Sequence, residues 1–319
     1  MNKLLTFAAV ATFASGVWAQ GMCTCNSPYG NWGLKLPFDR MNAGHMILQK
    51  EADGSASALV LWRWASPIPM KDVKVDGSSF SFTHPWDNMK ISGQTVGGKL
   101  QAVVSDAKGG VIGKICGWRN PEIPKGTTSK NAKLGEPIDL LKDGLDGWVT
   151  MDPKAKFGWS FKDGVLSNKL GLKPDGSWAG GGANLLSKCN KFYDFNLSYD
   201  VRVPKGSNSG VYLRGRYEIQ VVDSYGKEVD CHNMGAYYGR VTPAKAVEKP
   251  AGEWQHVDVT LCNRHLTVIL NGTVILDDVP IVGITGGALD ADEFVPGPIY
   301  LQGDHSDADF KNMILRPVL

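Results

Sequence analysis

The stretch Asn208-Ser-Gly-Val-Tyr-Leu-Arg-Gly-Arg-Tyr-Glu-Ile-Gln-Val-Val-Asp223 alternates with a period that a helix cannot use. After a turn at Asn208-Ser209-Gly210, the residues Val211, Leu213, Tyr217, Ile219 and Val221 share one parity. Tyr212, Arg214, Glu218, Gln220 and Val222 share the other. Successive strand side chains point to opposite faces, so the spacing predicts a sheet with one apolar face and one polar, charged face. Gly215 can mark a turn between two short strands. A two-residue turn would put Arg214 and Glu218 on opposite faces. A continuous strand, or a three-residue turn of Arg214-Gly215-Arg216, keeps them together, and that arrangement is expected. A face carrying Tyr, Arg, Glu and Gln can bind a polyhydroxylated ligand. It can equally be a solvated outer face with an Arg–Glu cross-strand pair.

The same cadence runs through the rest of the chain. From residue 138 onward, segments such as Phe195-Asn-Leu-Ser-Tyr-Asp-Val-Arg-Val203, Trp254–Leu261, His265–Leu270, Thr273–Leu276 and Asp309–Arg316 alternate between Gly, Asp and Asn turns. Ten or more strands with no helix between them predict two antiparallel sheets packed face to face, a jelly-roll β-sandwich. Residues 22–119 read as a smaller β-rich domain, its short segments separated by Asp53-Gly54, Asp76-Gly77 and Gly97-Gly98. Core packing is the expected role of Trp62 and Trp64 there, with a sugar-stacking platform as the alternative. Residues 120–137, rich in Pro, Gly and polar residues, read as a linker.

Residues 1–19 have the pattern of a secretory signal peptide: Lys3, an apolar run from Leu4 to Val17, and Val17-Trp18-Ala19 as the cleavage site. The protein is therefore expected to be exported, to the periplasm or the medium, without a membrane span. The six cysteines, at 23, 25, 116, 189, 231 and 262, are free to pair in that compartment, with connectivity open. With 34 basic against 32 acidic residues, the charge argues against nucleic acid as the main partner.

The motifs Leu141-Lys-Asp-Gly-Leu-Asp-Gly-Trp148, Asn208–Gly215, Tyr217–Asp223, Gly235-Ala-Tyr-Tyr-Gly239, Gly252-Glu-Trp254, Leu270-Asn-Gly272, Gly297-Pro-Ile-Tyr-Leu-Gln302 and Phe310–Pro317 come in one order. In that order residues 138–319 resemble the 3-keto-disaccharide hydrolase domain family. The resemblance implies a concanavalin-like lectin/glucanase jelly roll acting on glycosides oxidised at the sugar C3. One departure stands out: Leu301-Gln-Gly-Asp-His-Ser306 carries an extra residue before the Asp304-His305 pair.

A ketone at C3 makes the C2–H acidic, since the carbanion left behind is an enolate. Cleavage then needs a base for the C2 proton, positive potential for the enolate oxygen and an acid for the departing C1 oxygen. Glu218 or His305 can be the base, and Arg214 can supply fixed charge. Asn208, Gln220 and Asp223 suit sugar hydroxyls, and Tyr212 and Tyr238 offer ring faces. A divalent metal would serve as a Lewis acid, with Glu218, Asp223, Asp304 and His305 as donors, although no metal-specific spacing selects it. The Glu-x-Asp-x-x-Glu run of related jelly-roll glucanases is absent, and Glu218-Ile-Gln220 puts an amide where a second carboxylate would stand. A non-catalytic carbohydrate-binding or cell-surface interaction module is the alternative on the same fold. For a catalytic Glu218, Glu218→Gln is expected to abolish turnover and leave the melting temperature nearly unchanged.

Overall fold

The computed structural model describes residues 26–319; the expected signal peptide, Cys23 and Cys25 lie outside the described residues. The first nine strands are β1 (Gly30–Lys35), β2 (Ala43–Lys50), β3 (Ala56–Leu61), β4 (Ile68–Pro69), β5 (Lys71–Asp76), β6 (Ser79–Thr83), β7 (Lys90–Val96), β8 (Lys99–Ser105) and β9 (Val111–Arg119). They form one sheet in the order β4-β3-β2-β1-β9-β8-β7-β6-β5. Gly97 and Gly98 both take positive φ between β7 and β8, the two-residue turn that matches strand twist. Alternate residues such as Trp32, Leu34, Met46, Leu48, Val60, Phe80 and Phe82 bury a core of their own.

The remaining strands are β10 (Ile138–Asp139), β11 (Trp148–Thr150), β12 (Trp159–Lys162), β13 (Val165–Asn168), β14 (Leu185–Ser187), β15 (Phe195–Arg202), β16 (Asn208–Leu213), β17 (Tyr217–Val222), β18 (Gln255–Cys262), β19 (His265–Leu270), β20 (Thr273–Pro280), β21 (Tyr300–Leu301) and β22 (Ala308–Pro317). One sheet runs β12-β13-β22-β15-β18-β19-β20, with β10 paired to β22; the other runs β11-β14-β21-β16-β17. Between them lie Phe195, Leu197, Tyr199 and Val201 of β15, Val257, Val259 and Leu261 of β18, and Phe310 and Leu315 of β22. Against these pack Val211, Leu213, Tyr217, Ile219, Val221 and Leu301. Each such side chain contributes about 1.5–3 kcal/mol when fully buried. The result is an all-β, jelly-roll sandwich.

Because the apolar parity of β16 and β17 enters this core, the opposite parity faces away from it. That face carries Tyr212, Glu218 and Gln220, and it is covered as well. Segment 231–241 runs along β17, with Gln220 N–H donating to Ala236 O (3.0 Å) and Tyr238 N–H to Glu218 O (3.1 Å). An edge strand that would otherwise expose its donors is thereby closed.

The N-terminal sheet packs onto the same side. Gly287 N–H donates to Arg63 O (3.0 Å), Asn120 Nδ2 to Glu293 Oε2 (3.0 Å), and Ala43 and Leu61 join the core of the sandwich. Residues 120–137 are strapped to the sandwich: Gly135 N–H donates to Pro317 O (2.8 Å) and Ser129 Oγ to Asp278 Oδ1 (2.6 Å). Cys116, Cys189, Cys231 and Cys262 are free thiols. No helix among the described residues is long and apolar enough to cross a membrane.

Candidate active site

Strands β16 and β17 close on a three-residue turn. Leu213 pairs with Tyr217 and Tyr212 with Glu218, so Tyr212 and Glu218 stand side by side. The carboxylate of Glu218 fills a gap left by glycine: a β-carbon on Gly210 would lie 2.2 Å from Glu218 Oε1. Glu218 is only 3% exposed. Burial pushes its carboxyl up to about 8, a hydrogen bond with Tyr212 opposes this, and the nearby charge of Asp304 adds to it.

Three tyrosines surround this acid. The rings of Tyr212 and Tyr300 stack at 4.2 Å and 11°. The Tyr212 hydroxyl donates to Gly286 O at 2.8 Å. Burial raises the pKa of Tyr212, Tyr238 and Tyr300, and the charge of Glu218 contributes to each. Asp304 links this cluster to His305, whose Nδ1 lies 2.5 Å from Asp304 Oδ1. That contact raises the imidazole above its ordinary value, against a smaller effect of burial. His305 is half-exposed. The backbone of this loop is held by Asn184, whose Oδ1 accepts from Gly303 N–H (2.7 Å) and Asp304 N–H (3.1 Å).

Beside the buried acid a cleft of about 470 Å³ opens, lined among others by Asn208, Gln220, Asp223, His232 and Tyr238. Gln220 Oε1 accepts from Val221 N–H at 3.0 Å, leaving its amide N–H groups for the cleft. Asp223 Oδ2 accepts from Gly206 N–H (2.8 Å). Two buried amide oxygens, Asn208 Oδ1 and Gln302 Oε1, have no partner in the protein. Such orphaned acceptors call for a donor, and a sugar hydroxyl is one.

Of the expected residues, Glu218, Tyr212, Gln220, Asn208, Asp223, Tyr238, Asp304 and His305 fall in or beside this face, and Arg214 does not. Arg214 takes φ +55° in the turn, which breaks the strand alternation and swings its side chain to the opposite side. There it is fully buried, donates to Glu293 O and Val295 O (both 2.8 Å), and lies 4.2 Å from the Tyr193 ring centroid. It cannot hold an enolate at Glu218. The four candidate donors for a metal do not come together either. Glu218, Asp223, Asp304 and His305 do not bring three ligand atoms within 4.8 Å, whereas among the described residues Asp230, Cys231 and His232 do.

Sequence reasoning missed Tyr300, Gln302, Asn184 and Gly286. Tyr300 and Gln302 sit in the Gly297–Gln302 motif, where strand alternation puts them on one face, and that signal could have found them. Gly286 lies in a loop whose only sequence signal is its glycines.

The domain is thus an all-β sandwich with a buried glutamate beside a polar cleft. Residues 137–316 match the 3-keto-alpha-glucoside-1,2-lyase-like domain, and the chain belongs to that family. No curated protein matches the chain. Among solved structures it is similar to a candidate glycosyl hydrolase from Parabacteroides distasonis, at 23% identity over 62% of this chain and 94% of that one, with a TM-score of 0.44. It is also similar to the carbohydrate-binding module CBM66 of Bacillus subtilis, at 13% identity over 53% and 95%, TM-score 0.35. A third is LamAcat of Zobellia galactanivorans, at 12% identity over 60% and 100%, TM-score 0.36.

Proposed function

We propose that this protein is an exported enzyme that cleaves 3-keto-glycosides, 3-keto-disaccharides among them, by removing the C2 proton. The observation that carries the reading is Glu218: a carboxyl buried in a tyrosine-lined site with its pKa moved to about 8. A base is most effective when its pKa lies near the working pH, and burial has moved Glu218 in that direction.

In the proposed step Glu218 in its ionised form, a fraction that grows as pH rises toward 8, takes the C2 proton, and the C2–H electron pair moves into the C3 carbonyl as an enolate. The amide N–H of Gln220 and the hydroxyl of Tyr238, both on the cleft, donate to that oxygen in place of Arg214. The enolate then re-forms the C3 carbonyl, makes a C1–C2 double bond and breaks the C1–O bond. His305, whose imidazole pKa is raised by its contact with Asp304, gives a proton to the departing oxygen. The products are the free alcohol and an unsaturated 3-keto sugar. Addition of water at C1 with return of a proton to C2 completes net hydrolysis.

The test is turnover of a 3-keto-disaccharide beside its unoxidised parent, followed by NMR. Cleavage of the oxidised sugar alone is expected. Equal cleavage of both, or binding without any product, would remove the reading, and the second outcome would favour a carbohydrate-binding module.

A further inference from the structure

The N-terminal sheet reaches the site through one loop, residues 62–67 between β3 and β4. Two of its non-glycine residues are strained: Arg63 at φ +101° and Ala65 at φ +62°. Strain of this kind persists only where the surroundings over-determine it, and it collects at functional sites. Here it flanks one residue, Trp64, which is 55% exposed where core packing was expected. Trp62 by contrast packs against Phe38 and His84.

One face of Trp64 is backed by a fixed cation. The guanidinium of Arg63 lies 4.3 Å from the Trp64 ring centroid and 4.0 Å from that of Phe38. It is anchored to Arg40 O (3.0 Å) and Met41 O (3.3 Å). More than half of the Trp64 surface stays open to solvent. An indole held rigid on one side and open on the other has lost little freedom on meeting a ligand.

The loop is also joined to the residues around Glu218. A β-carbon on Gly286 would lie 2.4 Å from Ala65 O and 2.9 Å from the carbonyl carbon of Trp64, so the two backbones touch. The carbonyl of that same Gly286 accepts from the Tyr212 hydroxyl, the neighbour of Glu218. Ser66 Oγ is 2.6 Å from Nε2 of His232, which lines the cleft with its ring 5.2 Å from that of Tyr238. Trp64 thus stands one backbone segment away from the tyrosine that contacts the reacting acid.

We propose that Trp64 is a substrate-binding residue, its open face stacking on the sugar that departs from C1. The active site is then shared between the sandwich and the N-terminal sheet. Pyranose rings present C–H faces to indole, and the ring that carries the ketone must itself sit at Glu218. The proposal rests on the reading of the enzyme as one for 3-keto-glycosides.

The test compares wild type, Trp64→Ala and Trp64→Phe on a 3-keto-disaccharide and on the methyl 3-keto-glycoside, whose leaving group has no ring to stack. Trp64→Ala is expected to raise KM about tenfold for the disaccharide, with kcat within about twofold and a much smaller rise for the methyl glycoside. Trp64→Phe is expected to recover most of the loss. Equal effects on both substrates, or no effect on either, would overturn the proposal. If wild type turns over neither sugar, disaccharide binding is read by titration calorimetry. Loss of binding in Trp64→Ala then supports the platform, and unchanged or absent binding overturns it.

Discussion

Replacing Glu218 by Gln tests the burial of this acid independently of any substrate. The unfolded carboxyl titrates near 4.5 and the native one near 8. Between these values the native state holds a proton that the unfolded chain has released, so wild-type stability falls as pH rises. At pH 7 about two and a half pH units of this window have been crossed, worth about 3 kcal/mol at about 1.36 kcal/mol each. Gln carries no charge to release. The variant should therefore match wild type in the pH dependence of unfolding below about pH 4.5 and gain on it steadily above, by about 3 kcal/mol at pH 7. Because Glu218 is buried, the variant's melting temperature at neutral pH is expected to rise and not to stay nearly unchanged. Urea unfolding of both proteins at pH 4, 5, 6 and 7 reads the difference, and taking the difference cancels the histidines common to both. A stability difference that stays flat from pH 4 to pH 7 would refute the argument. In turnover the same variant should lose on the order of 10²- to 10⁴-fold in kcat.

Asp304→Asn removes a charge that raises Glu218 and a partner that raises His305, so both groups should titrate lower and the pH–rate profile should move to acid; an unmoved profile would separate Asp304 from the mechanism. Glu293→Gln leaves Arg264, 4% exposed and 2.9 Å from Glu293 Oε2, without its counter-charge. Breaking such a buried pair should cost about 3–5 kcal/mol in urea unfolding, and a cost below about 1 kcal/mol would mean that the pair is not buried in solution.

Much of the fold was legible because strand period and turn chemistry are local. The alternation of Asn208–Asp223, and the glycine pairs at 97–98, set the strands and their turns before any packing is known. The pairing of Tyr212 with Glu218 followed from the three-residue turn. Parity misled at Arg214 because alternation assumes strand backbone, and a left-handed turn residue leaves it. The environment of Glu218 was not legible at all. Its burial depends on Gly210 across the strand, Tyr300 on β21 and the loop at Thr285–Gly287, contacts made by residues 8 to 82 positions away. Trp64 was misjudged for a related reason: its exposure is set by two strained neighbours, which no propensity reports.

The central claim is that the C2 proton leaves during cleavage. It is tested most directly with a 3-keto-disaccharide carrying deuterium at C2 of the oxidised ring, cleaved in ordinary water and compared with an enzyme-free control for spontaneous exchange. The account predicts a slowed reaction and a product that has lost the label from C2. Cleavage at an unchanged rate with the deuterium retained would contradict it.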